Sequence, residues 1–159
     1  MKNESVAELQ LDCTRLSPHF TIGELTKTKV NLRNVPNEEQ VENLKRLCGW
    51  LEQLRRRWNN LYGEGDDPIV INSGFRSPEV NKAVGGATLS NHLTGCAVDI
   101  RCIGIEQAIR YASILLDIAD GTKRDYDELL IERSPKGNYW IHFAVRPANH
   151  RRKTAMIQT

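Results

Sequence analysis

Between Asn37 and Leu61 apolar residues recur at three- and four-residue steps: Val41, Leu44, Leu47, Cys48, Leu51, Leu54, Trp58 and Leu61. This spacing predicts a long amphipathic helix with one core-facing stripe. Asn37, following Pro36, is suited to cap it, with Glu38, Glu39 and Glu42 near its positive end. The Trp and Leu stripe is scaffold, and Arg55, Arg56 and Arg57 form a solvated face. A second stripe, Ile105, Ala108, Ile109, Ala112, Leu115, Leu116 and Ala119, predicts a helix from Ile105 to Ala119 that Gly121 closes. Two short helices are signalled by their starts. Thr21 stands three residues before Glu24 as in a capping box, and Ser77 precedes Pro78, with Gly85 and Gly86 ending that helix. His19, beside Phe20, reads as a packed or capping residue.

Strands are read from alternation. After the break YGEGDDP, Ile69 to Ile71 forms an apolar strand. Gly95 turns the chain into a strand from Cys96 to Ile100, with Cys96, Val98 and Ile100 on one face and Ala97, Asp99 and Arg101 on the other. YDELLIERSPKGNYWIHFAVRP reads as a β-hairpin turning at Ser134 to Gly137. Tyr139, Ile141, Phe143 and Val145 make the apolar face of its second strand, which leaves Trp140 and His142 on the other. In the first strand Leu129 and Ile131 join the core, so Glu128 and Glu132 share the face of His142, and Leu130 breaks the alternation. The fold class is therefore α+β: an antiparallel sheet carrying Asp99 and His142, with the two long helices flanking one side.

Composition narrows the picture. A chain of 159 residues with 40% hydrophobic and 26% charged residues suits one soluble domain. A net charge of +2 is too small to argue for nucleic acid as a partner, and no stretch reaches membrane-spanning length. A monomer is expected. Cys13, Cys48, Cys96 and Cys102 have no zinc-finger spacing and read as buried, reduced thiols. Residues 1–16, with only Val6, Leu9 and Leu11 in a weak helical pattern, form an N-terminal arm; residues 17–146 form the domain. The cluster Arg146, Arg151, Arg152 and Lys153 marks 147–159 as a solvated basic tail. MKNESVAELQLDC lacks the basic patch and apolar run of a secretory signal, so a cytoplasmic protein is expected.

The chemistry concentrates in SNHLTGCAVDIR, Ser90 to Arg101. His92 and Asp99 offer an imidazole and a carboxylate either side of a glycine turn, a pair that suits zinc and leaves room for a third ligand and an open position. Of the four histidines, His142 in the strand-like run NYWIHFAV is placed to form the second wall. Arg76 sits on a short turn between a strand and a helix, with its fork free to meet a carboxylate; on the residues alone a structural salt bridge to a nearby acid is the favoured reading, with a substrate carboxylate the alternative.

Ser90, His92, Asp99, Trp140 and His142 follow the order Ser-x-His, six residues, Asp, then Trp-x-His, preceded by INSGFRSPEVNKAVGGA. This pattern, over residues 17 to 146, resembles the zinc D-Ala-D-Ala carboxypeptidase and peptidoglycan endopeptidase family, peptidase family M15, and within it subfamily A. The resemblance implies a hedgehog/DD-peptidase-like fold and a zinc ion held by His92, Asp99 and His142. It also implies substrate contacts from Arg76 and Ser90, and hydrolysis of a peptide bond in peptidoglycan stem peptides, as a carboxypeptidase or an endolysin-type endopeptidase. Several relatives carry the catalytic acid three residues before the last histidine, where this chain has Tyr139. Glu132 is assigned as the base, with Glu128 the alternative. A phage or prophage enzyme freed by a lysis system would reconcile a cytoplasmic origin with a cell-wall substrate. Two other readings stay open: a non-catalytic zinc-bearing binding module of the same fold, and a metal-free binding domain in which His92 and Asp99 form a hydrogen-bonded pair.

Overall fold

The computed structural model describes residues 13–159; the weak pattern of Val6, Leu9 and Leu11 lies outside them. A small ribbon, β1 (Arg15–Ser17) and β2 (Phe20–Thr21), leads into helix α1 (Ile22–Thr26), followed by the long helix α2 (Glu38–Leu61). Strand β3 (Ile71–Ser73), helix α3 (Pro78–Ala83), a 3-10 turn (Asn91–Thr94) and strand β4 (Ala97–Cys102) come next. Helix α4 (Gly104–Thr122), the hairpin β5 (Glu128–Arg133) and β6 (Tyr139–Ala144), and strand β7 (Lys153–Gln158) complete the chain. The five-stranded sheet has the order β3-β4-β6-β5-β7. The class is α+β, as the patterning predicts, but the sheet is mixed rather than wholly antiparallel, since β7 runs parallel to β5. Among the described residues no helix is long and apolar enough to cross a membrane.

The predicted caps are present. Asn37 accepts from the Gln40 amide at 2.9 Å, and Gln40 Oε1 accepts from the Asn37 amide in return. Thr21 and Glu24 form the same reciprocal pair. One face of the sheet, with Val98, Ile100, Leu129, Ile141 and Phe143, buries against α2 and α4. Trp50, which stands outside the predicted stripe, fills the centre and meets Phe143 edge-on at 5.3 Å. The stripe also ends a turn early, since Leu61 is 63% exposed.

Four further expectations are corrected. Helix α4 runs through Gly121, and Lys123 in the left-handed region (φ 54°) caps it. Ile109 is 51% exposed, because Tyr111, Ile114 and Ile118 turn the buried face of α4 away from it. Cys13 is exposed, whereas Cys48, Cys96 and Cys102 are buried thiols; burial pushes Cys48 and Cys102 up to about 12. Residues 147–159 do not form a free tail: β7 pairs parallel to β5, with Glu128 beside Lys153 and Arg133 beside Gln158. The arginines that look unpaired in sequence find acids far back in the chain. Arg151 meets Asp127, and Arg152 meets Asp120 and Asp125.

Candidate metal centre

Three segments converge on the sheet face opposite the helices. Strand register places Asp99 directly across from His142 and puts Leu130 on the far side of His142. Side chains paired across an antiparallel ladder share a face, so Asp99 and His142 are brought together by pairing alone. The break in alternation at Leu130 is thereby explained: it is 4% exposed beneath the site rather than in the main core.

His92 arrives from the 3-10 turn. Ser90 caps that turn, its Oγ accepting from the His92 amide at 3.2 Å. Gly95 ends it at φ 73°, where a Cβ would stand 2.7 Å from the Gln40 carbonyl of α2, so only glycine fits. The turn is tied to the Arg76 segment by the Arg76 amide, which donates to the His92 carbonyl at 3.0 Å.

Donor atoms from the three residues lie within 4.8 Å of one another. Asp99 Oδ1 is 3.3 Å from His92 Nε2 and 3.1 Å from His142 Nδ1. A tetrahedral zinc site with bonds of 2.0–2.1 Å has ligand–ligand edges of about 3.3 Å, so two of the three edges already have the required length. Two imidazoles and one carboxylate leave a tetrahedral ion one open position and net positive charge, the donor chemistry of a catalytic site. His92 is almost fully buried, and its Nδ1 donates to the Gly74 carbonyl at 2.7 Å, which directs Nε2 inward. Gly74 cannot be enlarged: a Cβ there would lie 2.2 Å from the Leu25 carbonyl.

Charge in the cluster is tightly coupled. Burial opposes ionisation of Asp99, but His92 and His142 outweigh it and hold the carboxyl well below the usual range. Burial likewise disfavours the His142 imidazolium, yet hydrogen bonds to Asp99 and Glu128 raise its pKa to about 9. The two glutamates differ. Glu128 is brought down to about 2, first by its hydrogen bond to His142. Glu132 is pushed up, first by burial and then by the charge of Asp99.

Arg76 is less free than its sequence position suggests. Its Nε donates to Ser73 Oγ at 2.9 Å and its Nη2 to Asp99 Oδ2 at 3.1 Å; neither contact uses Nη1. Tyr139 occupies the core side of β6, paired with Cys102, and does not reach the metal face. Asn91, Asp127 and Arg151, which also adjoin the site, carry no recognisable motif. The available signal was an acid, Asp127, at the head of an apolar strand, and an arginine cluster with no acid inside it.

This arrangement defines the class: an α+β protein with an open three-donor site for a divalent metal. The chain belongs to the peptidase M15 family, whose model matches residues 18–124. It is also similar to the zinc D-Ala-D-Ala carboxypeptidase of Streptomyces albus G, with 53% identity over 36 residues, 23% of this chain and 14% of that protein. The similar stretch therefore spans a small part of that relative's length.

Proposed function

We propose that this protein is a zinc peptidase that hydrolyses a peptide bond in peptidoglycan stem peptides. The observation that carries the reading is the placing of Asp99 Oδ1 at tetrahedral-edge distance from both His92 Nε2 and His142 Nδ1, with an acid on the adjoining strand. Membership of a peptidase family and similarity to a zinc D-Ala-D-Ala carboxypeptidase support the substrate class.

Zinc, when bound, supplies Lewis acidity that polarises a carbonyl and makes water a nucleophile near neutral pH. The chain's own residues do the rest. His92, Asp99 and His142 would hold the ion on the open face of the sheet. Glu132, beside Trp140 on that same face, takes a proton at its carboxylate from the attacking water and returns it to the leaving nitrogen. A carboxyl raised by burial is closer to neutral pH and so better matched to both transfers. Glu128 is less suited, since its Oε1 is already engaged by His142 and Asn91. Arg76, tethered to Asp99 through Nη2, offers Nη1 to a substrate carboxylate; Ser90, its hydroxyl committed to the turn, contributes at the rim through the backbone it fixes.

Zinc-loaded protein should release fragments from purified peptidoglycan whose masses identify the bond cut. Stoichiometric zinc retained through dialysis without any fragment release would instead favour a non-catalytic zinc-bearing module.

A further inference from the structure

An imidazole that ligates a metal through one nitrogen is held by a hydrogen bond at the other. The two histidines of this site are held differently. His92 is set by a backbone carbonyl, that of Gly74, which the fold fixes. His142 presents Nδ1 to Asp99 and turns Nε2 to Glu128 Oε1, 3.2 Å away. A side-chain partner orients a ligand only if it is held itself. Glu128 stands across from Ala144, not His142, so it reaches the imidazole along a diagonal.

Glu128 is held by Asn91, and Asn91 in turn by groups on either side of β6. Asn91 Nδ2 donates to Glu128 Oε1 at 2.7 Å and to Asp127 Oδ2 at 2.8 Å, using both amide hydrogens on two carboxylates. The amide cannot flip usefully, because Asn91 Oδ1 accepts from Arg146 Nε at 2.9 Å. Asp127 is completely buried and is gripped by Arg151 through Nε at 3.0 Å and Nη2 at 2.7 Å, and through the Arg151 amide at 3.1 Å. Arg151 Nη2 also stands 3.6 Å from Glu128 Oε1. Two carboxylates face two guanidiniums, so the network is balanced in charge without drawing on the metal. Pairing of β7 with β5 brings Arg151 to this place, and the family match ends at residue 124, before any of it except Asn91.

We propose that Glu128 is a positioning residue that orients His142 toward the metal, and that Arg151, acting through Asp127 and Asn91, holds Glu128 in place. The inference rests on the reading of His142 as a metal ligand. It separates the two glutamates, Glu128 on the Nε2 side of His142 and Glu132 across from Trp140.

The test measures zinc affinity of the full chain by competition with a chelator, alongside melting of the metal-free protein, for Glu128→Ala, Glu128→Gln, Arg151→Lys and His142→Ala. Loss of a carboxylate behind a metal-bound imidazole typically costs about 10- to 100-fold in affinity, and that loss is expected for Glu128→Ala. Glu128→Gln keeps an acceptor for Nε2 and should fall between it and the parent. Arg151→Lys, which keeps the charge but not the fork, should weaken zinc in the same direction with a smaller effect. Zinc affinity unchanged in both Glu128 variants, with His142→Ala losing it, would overturn the inference while leaving the metal centre intact. Glu128→Gln that binds zinc as the parent does but has no turnover would make Glu128 the base and also overturn it. Parent-like zinc binding by His142→Ala would remove the metal-centre reading itself. If Glu128→Ala fails to fold, Glu128→Gln carries the comparison.

Discussion

Arg76 Nη2 lies 3.1 Å from Asp99 Oδ2, on the oxygen that faces away from the two imidazoles. The acid ligand is thus gripped from behind by the same arginine proposed to receive substrate. Arg76→Lys keeps the charge but cannot bridge Ser73, Asp99 and a substrate carboxylate at once. On a substrate with a free carboxylate, kcat/KM should fall by about 10- to 150-fold, the equivalent of one charge-assisted contact. An amidated substrate should lose less. Equal losses on both, together with weaker zinc binding, would assign Arg76 wholly to Asp99.

Glu132→Gln is expected to retain zinc at full stoichiometry while turnover falls by roughly 100- to 10,000-fold, the usual span for removal of a general base. Metal analysis and fragment release measured on one sample check both halves. Full activity of this variant would move the proton transfer elsewhere.

In the metal-free protein His142 has a pKa raised to about 9, against about 6.5 for an unfolded histidine. A raised pKa contributes stability below pH 6.5 that is lost as pH climbs through about 9. Glu128 works in the opposite sense: lowered to about 2, it contributes above the ordinary carboxylate range and is lost as pH falls from about 4.5 toward 2. Melting of the metal-free protein should therefore be highest on a mildly acidic plateau, between about pH 4.5 and 6.5, and decline on both sides of it. Zinc binding at pH 7 should release the His142 proton, visible as a dependence of the binding heat on the buffer's ionisation enthalpy.

Gly74→Ala places a methyl 2.2 Å from the Leu25 carbonyl, a contact with backbone that cannot yield cheaply. A loss of about 1 to 3 kcal/mol in stability is expected, as for overpacking elsewhere. Because the Gly74 carbonyl holds His92 Nδ1, zinc affinity should drop with it. Parent-like zinc binding in a destabilised Gly74→Ala protein would show that His92 is oriented without that carbonyl.

Local pattern was enough for much of this protein. The stripe of α2, its Asn37 cap, the hairpin turn and the alternation that separates His142 from Ile141 and Phe143 are properties of neighbouring residues, because helix and strand periodicities act over a few positions. Asp99 and His142 were legible for the same reason, as polar residues left on the open faces of apolar strands, whereas His92, on a turn with no periodicity, was singled out with them by the Ser-x-His motif and its resemblance to the M15 family. Tertiary structure decided what depends on distant partners. Arg151 and Arg152 look like a solvated cluster until Asp120, Asp125 and Asp127 meet them, and β7 has no alternation of its own to announce a strand. Glu128 and Glu132 occupy equivalent positions in the pattern, two acids on one face. Only the diagonal reach of Glu128 to His142, held by Asn91, distinguishes them, since a hydrogen-bond network is fixed by three-dimensional position and not by spacing along the chain.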